Sequence, residues 1–279
     1  MQSDMDILLT NDDGIYSEGL WVLFQELASH YRVAVVAPDR ERSAIGHAIT
    51  LHEPLRKKRI SLNGGCSGVA VTGTPADCVK LGILELLERP PRLVISGINP
   101  GANVGVNVNY SGTVAAAREA ALFGVSAISI SIDSRRPKYL NETAQFVIRL
   151  TRHVFDHGLA KGTFLNVNVP DFHPDKIAGV RISRHGTQFN GEYFEKRVDP
   201  RQRSYYWQGC DMQTQTEKHN LVKSASFQRD VDAVCLKNRY ITITPVKCDT
   251  TDYFVLDQMK NWDFNPADGM DPAKKGNLR

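Results

Sequence analysis

The octapeptide Ile7-Leu8-Leu9-Thr10-Asn11-Asp12-Asp13-Gly14 joins a short apolar run to a polar turn. An apolar run of this kind predicts a strand that is buried on both faces, as in parallel sheets. Ser17 is a good N-cap, and apolar residues from Leu20 to Leu27 follow at helical spacing. A helix is therefore predicted to begin near Ser17. The whole segment predicts a strand–turn–helix unit.

The same alternation of short apolar runs and helix-like segments continues along the chain. Strands are predicted at 32–37, 69–71, 93–95, 126–132 and 240–244, and helices at 75–87 and 113–123, near 232 and from about 251. This order predicts right-handed β-α-β units and a mostly parallel sheet with helices on both faces. We therefore expect an α/β fold, with a doubly wound sheet in a three-layer α/β/α arrangement.

The segment from about residue 185 to 228 interrupts this pattern. It is polar and aromatic, with Tyr205-Tyr206-Trp207, and predicts a β-hairpin arm. Such an arm packs either on another subunit or back on its own. We expect a single domain over 1–279, in which the core covers about 1–184 and 229–250, the arm about 185–228 and a C-terminal helical extension about 251–279.

Composition excludes several classes of protein. The 279 residues carry a net charge of only +3, so nucleic acid is not an expected partner. The densest basic run, Arg56 to Arg59, is more typical of a solvated loop or an edge strand. Five cysteines without a C-x-x-C pair indicate reduced thiols. Because neither a signal peptide nor a membrane-spanning run is visible, we expect a cytoplasmic protein without a membrane partner.

Two loops that follow predicted strands carry candidate functional residues. Ligands of doubly wound sheets bind outside the carboxyl ends of the strands. Asp12 and Asp13 are adjacent carboxylates that repel each other unless a cation or a proton lies between them. A hard ion such as Mg²⁺ or Mn²⁺ suits such ligands, although Asn-Asp-Asp-Gly is also ordinary turn chemistry. Ser43 ends the second loop, Pro38–Ser43, which taken alone is more typical of a salt-bridged surface loop.

The third candidate segment is rich in Gly and Asn and covers 96–105 and 110–113. Asn99 and Asn103 offer amide oxygens to a cation or a substrate. Ser111-Gly112-Thr113 opens a helix whose free N–H groups favour an anion. The segment has neither a Walker A motif nor a G-x-G-x-x-G motif. His153 and His157, by contrast, belong to the end of an amphipathic helix and are not expected to bind a metal.

Together these segments resemble the survival protein SurE family of nucleotidases. The resemblance is carried by residues 7–19 (ILLTNDDGIYSEG), 37–50 (APDRERSAIGHAIT), 71–78 (VTGTPADC), 96–119 (SGINPGANVGVNVNYSGTVAAARE) and 230–245 (DVDAVCLKNRYITITP). The segments occur in the order typical of the family and span most of the chain.

The resemblance implies a Rossmann-like fold and metal-dependent hydrolysis of nucleoside 5′- and 3′-monophosphates, with polyphosphate as a further substrate. It implies one divalent cation per subunit (Mg²⁺, Mn²⁺ or Co²⁺). The implied metal ligands are Asp12, Asp13, Ser43 and Asn99. Asp12 and Asp13 are also the candidate catalytic residues, and we expect Asp12 rather than Asp13 to orient or deprotonate the attacking water. The implied phosphate-binding residues are Asn103, Ser111, Gly112 and Thr113. The resemblance further implies a homodimer or homotetramer that is built through the arm and the C-terminal extension. Two alternatives stay open: a broad phosphatase or polyphosphatase, and a non-catalytic nucleotide sensor.

Overall fold

The computed structural model describes residues 5–61, 66–187, 192–210 and 230–262. The strands are β1 (Ile7–Thr10), β2 (Val33–Pro38), β3 (Lys57–Ser61), β4 (Ser67–Val71), β5 (Leu93–Pro100), β6 (Ser126–Ile132), β7 (Thr163–Val169), β8 (Gly179–Ile182), β9 (Glu192–Val198), β10 (Ser204–Cys210) and β11 (Tyr240–Lys247). The α-helices are α1 (Glu18–Ala28), α2 (Pro75–Leu81), α3 (Gly112–Leu122), α4 (Leu140–His157), α5 (Asp232–Lys237) and α6 (Tyr253–Met259).

Nine of these strands form one sheet in the order β3-β4-β2-β1-β5-β6-β7-β11-β8. The run from β4 to β7 is parallel throughout. Only β3 and β11 pair antiparallel with their inner neighbours, β4 and β7. The prediction of a doubly wound, mostly parallel sheet is therefore confirmed. The basic run lies largely on β3, which is an edge strand.

Helices cover both faces of the sheet, and each face has its own apolar core. Leu20, Leu23 and Leu27 of α1 are fully buried together with apolar residues of α4. The opposite face buries α2 and the alanine-rich α3. The stripe of apolar residues predicted for α1 is thus the face that packs on the sheet.

The chain reverses its direction across the sheet between β1 and β5. From β1 it proceeds outward to β2 and β4, and it then returns to place β5 on the other side of β1. This reversal is a topological switch point, where the loops that follow β1 and β5 diverge and leave a crevice. The crevice lies at the edge where the candidate functional residues were predicted.

Strand β5 is longer than the predicted strand at 93–95. Its register against β6 shifts between Ser96 and Asn99, after which Asn99 and Pro100 pair with Ser131 and Ile132. A bulge of this type redirects side chains at the end of a strand. Asn99 therefore belongs to the sheet and not to the loop that follows it.

The predicted helix at 75–87 is shorter than expected. Helix α2 ends at Leu81, and residues 82–86 form a π-helical turn. A methyl group on Gly82 would lie 2.8 Å from Leu8 Cδ2. The change in helical geometry therefore coincides with a close approach to β1.

The arm is described in part. Strands β9 and β10 form an antiparallel hairpin from residue 192 to 210, as the sequence predicts. Residues 188–191 and 211–229, which complete the predicted arm, lie outside the described residues.

The chain divides into two compact units, residues 1–248 and 249–279. The second unit contains α6, which begins after Asp252; its carboxylate accepts hydrogen bonds from Phe254 N–H and Val255 N–H. Among the described residues, no helix combines the length and the apolar character that a membrane span requires.

Candidate active site

Three neighbouring strands carry the four predicted metal ligands to one edge of the sheet. Asp12 and Asp13 follow β1, Ser43 lies in the loop that follows β2, and Asn99 lies near the end of β5. Because β2, β1 and β5 are adjacent and parallel, their carboxyl ends meet at this edge. The structure thus brings together segments that are separated by up to 87 residues in the sequence.

Asp12 lies between the start of α3 and the loop that follows β2. Its carboxylate accepts a hydrogen bond from the Thr113 hydroxyl, and its carbonyl oxygen accepts one from Arg42 N–H at 2.7 Å. A methyl group on Gly112 would lie 2.8 Å from Asp12 Cβ, so this approach requires glycine. Burial raises the pKa of Asp12, and the hydrogen bonds from Thr113 only partly oppose this effect.

Asp13 has fewer hydrogen-bond partners for its carboxylate than Asp12. Burial, followed by the negative charges of Asp12 and Glu41, raises its pKa to about 7. Its Oδ2 atom is buried and has no hydrogen-bond partner among the described residues. An ionised carboxylate in this position is costly unless a positive charge lies beside it.

The other two predicted ligands are oriented by hydrogen bonds within their own loops. The Ser43 hydroxyl donates to Glu41 Oε1 at 2.6 Å, which leaves its oxygen lone pairs exposed. The Asn99 amide nitrogen donates to the Gly101 carbonyl oxygen at 2.6 Å. This bond fixes the carboxamide and leaves its Oδ1 atom as an acceptor.

The four side chains fit a hard divalent cation. All of them offer oxygen, which is the donor that Mg²⁺ and Mn²⁺ prefer. Asp13 Oδ2 is buried without a hydrogen-bond partner among the described residues, and burial raises the pKa of both aspartates. A positive charge beside them would stabilise their ionised forms. Within the described ranges, no three His, Cys, Asp or Glu residues cluster as a metal site.

The N-terminus of α3 lies beside the acidic pair. Ser111 is its N-cap, and Ser111 Oγ accepts a hydrogen bond from Val114 N–H at 3.2 Å. The hydroxyl and backbone N–H of Thr113 are both directed at Asp12. Of the predicted phosphate-binding residues, Thr113 thus contacts a predicted metal ligand. Gly112 N–H belongs to the first turn of α3, whose N–H groups have no acceptor within the helix.

Most of this chain is similar in sequence to known proteins. A family model described as "Survival protein SurE" matches residues 7–192. The 5′-nucleotidase SurE of Desulfatibacillum aliphaticivorans is 53% identical over 258 residues, which are 92% of this chain and 98% of that protein. The chain belongs to the SurE family. The resemblance stated from the sequence motifs is therefore confirmed.

Further SurE proteins are similar to this chain over nearly its whole length. The 5′-nucleotidase SurE of Syntrophobacter fumaroxidans is 45% identical over 263 residues, 93% of this chain and 100% of that protein. The crystal structure of the SurE protein from Aquifex aeolicus matches with a TM-score of 0.76 and 35% identity. It covers 91% of this chain and 98% of the other.

Two buried carboxylates that sequence analysis missed hold the loop that carries Ser43 in this SurE protein. Asp77 accepts hydrogen bonds from the Thr50 hydroxyl at 2.6 Å and from Thr74 N–H at 2.9 Å. Glu119 pairs with His47 at 2.7 Å. The signal for Asp77 was the spacing Thr74-x-x-Asp77, a capping box whose acidic member also reaches another loop.

A second set of missed residues surrounds Asn103. Asn166 and Asn168 of β7 and Ser131 of β6 hydrogen-bond to Asn103. The signal was the polar alternation Asn-Val-Asn inside an apolar run at 164–169, a segment for which no strand was predicted.

Proposed function

We propose that this chain is a metal-dependent phosphomonoesterase that hydrolyses nucleoside 5′-monophosphates, and also 3′-monophosphates, to nucleoside and phosphate. The family to which it belongs and the 5′-nucleotidase names of its relatives support the substrate class. The observation that carries the proposal is the poorly satisfied Asp12–Asp13 pair beside the N-terminus of α3. An acidic pair of this kind needs a cation, and the helix terminus favours an anion.

The residues that would hold the cation are Asp12, Asp13, Ser43 and Asn99. A divalent ion supplies charge neutralisation at the phosphoryl group and lowers the pKa of a water molecule bound to it. We propose one Mg²⁺, Mn²⁺ or Co²⁺ ion for each subunit.

In the proposed reaction, water attacks phosphorus while the bond between phosphorus and the ribose oxygen breaks. Asp12 accepts a proton from the attacking water, and the ribose oxygen leaves as a hydroxyl group by taking a proton from solvent water. Thr113 fixes the orientation of Asp12 through its hydroxyl group and its N–H. A base must be positioned within hydrogen-bond reach of the proton that it removes.

The chain's neutral donors would stabilise the charge on the phosphoryl oxygens. Gly112 N–H and the Ser111 hydroxyl lie at the positive end of the dipole of α3. The Asn103 carboxamide supplies a further N–H. Because these donors are fixed before the reaction, they need little rearrangement as negative charge shifts between oxygens.

The direct test is phosphate release from AMP with Mn²⁺, by wild-type protein and by Asp12→Asn. The substitution should lower kcat roughly 10²–10⁴-fold, as expected for loss of a general base. Asp6→Asn is the matched control, since Asp6 precedes β1 at the opposite edge of the sheet and pairs with Arg32. Full activity of Asp12→Asn would refute the assignment. Absence of phosphate release by the wild type would favour a nucleotide sensor.

Removal of the cation tests the metal dependence separately. Excess EDTA should abolish turnover, and added Mn²⁺ should restore it. Unchanged turnover in EDTA would contradict the proposed role of the acidic pair.

A substrate panel separates a nucleotidase from a broad phosphatase. It compares kcat/KM for 5′-AMP, 3′-AMP, GMP, p-nitrophenyl phosphate and tripolyphosphate. We propose that the nucleotides give the highest values and that polyphosphate is a side substrate. Similar values for all five compounds would favour the broad phosphatase.

The proposed assembly is a homodimer or homotetramer formed through the arm and the C-terminal extension. In the arm, Phe194, Tyr206 and Trp207 expose 59–68% of their surface. An isolated two-stranded hairpin is only marginally stable in water, so a hairpin with these aromatic side chains favours a protein partner.

A further inference from the structure

Two carboxamides are buried in the central sheet next to the predicted phosphate-binding loop. Asn166 and Asn168 of β7 have no exposed surface. They alternate with Leu165, Val167 and Val169, which pack in the apolar core on the opposite face of the sheet. The two carboxamides therefore point to the same face of the sheet. Because they are polar and fully buried, their hydrogen bonds show what they do there.

These hydrogen bonds converge on Asn103. Asn103 N–H donates to Asn168 Oδ1 at 2.7 Å, and the Asn103 carbonyl oxygen accepts from Asn168 Nδ2 at 3.1 Å and from Asn166 Nδ2 at 2.8 Å. The Asn103 side chain donates from Nδ2 to Ser131 Oγ at 2.9 Å. Both backbone polar groups and the side chain of one loop residue are thus held by two strands.

A neighbouring serine fixes the direction of this contact. Ser129 Oγ donates to Asn166 Oδ1 at 2.9 Å, which turns the Asn166 amide nitrogen toward Asn103. A buried carboxamide is costly unless its hydrogen bonds are made, and apolar residues of similar size would fill the same space without that requirement. The network therefore indicates a role in holding Asn103 rather than in stabilising the sheet.

The predicted cation ligand in the same segment is held by other means. Asn99 lies within β5, where it pairs with Ser131 through the strand backbone. Asn103 lies beyond the end of β5 and depends on side chains for its position. Loss of the Asn166 and Asn168 amides should consequently move Asn103 and leave Asn99 in place.

We propose that Asn166 and Asn168 are positioning residues that direct the second N–H of the Asn103 carboxamide to a phosphoryl oxygen of the substrate. This inference rests on the proposed function. It assigns β6 and β7, which carry none of the predicted site residues, the task of shaping the phosphate side of the site.

The experiment compares Asn168→Leu and Asn166→Leu with the wild type in steady-state AMP hydrolysis with Mn²⁺. Each variant should lose at least about tenfold in kcat/KM, in the range found for residues that orient a ligand-binding group. The Kd of Mn²⁺ alone, measured by isothermal titration calorimetry, should stay within about twofold of the wild-type value, because Asn99 is held by its strand.

Two further variants separate positioning from general destabilisation. Thr244→Val is the matched control, since it removes a different buried hydrogen bond, to Ser183, beside Asn166 in the same sheet. It should lower the melting temperature and leave kcat/KM unchanged. Ser131→Ala removes the hydroxyl group that accepts a hydrogen bond from the Asn103 side chain. This small change tests the contacts of Asn103 even if Asn166→Leu or Asn168→Leu does not fold. It should lower kcat/KM with an unchanged Kd for Mn²⁺.

A double-mutant cycle with Asn103→Ala completes the test. Once Asn103 has lost its carboxamide, Asn168→Leu should cause little further loss, because the two residues act through one group. Fully active Asn168→Leu and Ser131→Ala, additive losses, or a parallel loss of Mn²⁺ affinity would each overturn the positioning role. An inactive wild type would instead refute the proposed function itself.

Discussion

Asp13 shows how an unsatisfied residue can mark a functional site. Its pKa of about 7 lies above the ordinary value of 3.8, so the folded state opposes its ionisation. In the metal-free protein, protonated Asp13 contributes its full share to the free energy of unfolding below about pH 4. This contribution is lost as the pH rises through about 7, because the pKa of Asp13 is higher in the folded state than in the unfolded state.

We therefore expect Asp13→Asn to stabilise the metal-free protein at pH 8 by about 1 kcal/mol or more, which raises Tm by roughly 2–4 °C per kcal/mol. Thermal unfolding in EDTA measures this gain. With saturating Mn²⁺ the wild type should have the higher Tm, because only the wild type keeps all four proposed metal ligands. A variant that is less stable than wild type in EDTA would contradict the account.

Gly112 lies where the neighbouring atoms leave no room for a side chain. A methyl group there would meet Asp12 Cβ at 2.8 Å and the Arg42 carbonyl oxygen at 3.3 Å. Gly112→Ala should lower kcat/KM for AMP by at least about tenfold, although alanine favours helices by about 1 kcal/mol over glycine. Glu18→Ala alters the first residue of α1, which is exposed, and should leave activity unchanged. Wild-type activity of Gly112→Ala would show that Asp12 can move without consequence.

At the scale of elements, Asp232 joins three separate parts of the fold. This fully buried residue begins α5 and accepts hydrogen bonds from Gly105 N–H, Gly186 N–H and His185 Nδ1 at 2.9–3.1 Å. Burial opposes its ionisation, but these hydrogen bonds outweigh that effect and lower the pKa of Asp232. The loop beyond Asn103 is thereby tied to the base of the arm.

Asp232→Asn should destabilise the protein at pH 7 by about 2 kcal/mol, as expected for loss of hydrogen bonds to a charged group. A lowered folded pKa provides stability above the ordinary pKa of 3.8 and loses it as the pH falls through the folded value. The difference between variant and wild type should thus shrink below about pH 4. Urea unfolding at several pH values measures it, with exposed Asp175→Asn as the control. A difference that does not vary with pH would contradict the assignment.

The strands and helices themselves were largely predictable. Apolar runs and caps act within a few residues, and β1, β6 and α1 lie where the sequence places them. No strand was predicted at β7 or β8. Two predicted elements have different bounds because distant groups intervene. Pairing with β6 extends β5 to Pro100, and contact with Leu8 accompanies the early end of α2.

At the scale of the whole molecule, the exposed aromatic residues of the arm test the proposed assembly. Wild-type protein should elute as a multiple of 31.1 kDa in size-exclusion chromatography with light scattering. Tyr206→Ser combined with Trp207→Ser should shift it toward the monomer, because both faces of the hairpin lose apolar contact area. Leu122→Ser changes an exposed apolar residue at the end of α3 and should leave the mass unchanged. A wild-type monomer would refute the assembly.

The amino-acid sequence alone determined the α/β class, the positions of several strands and helices and the family, and it nominated the candidate ligands Asp12, Asp13, Ser43 and Asn99. These features depend on local periodicity and on contiguous motifs. Only the tertiary structure showed that Thr113 orients Asp12, and that Asn166 and Asn168 hold Asn103 from more than 60 residues away. The physical reason is that a hydrogen-bond partner across a sheet is set by the order and register of the strands. No short stretch of sequence contains that information.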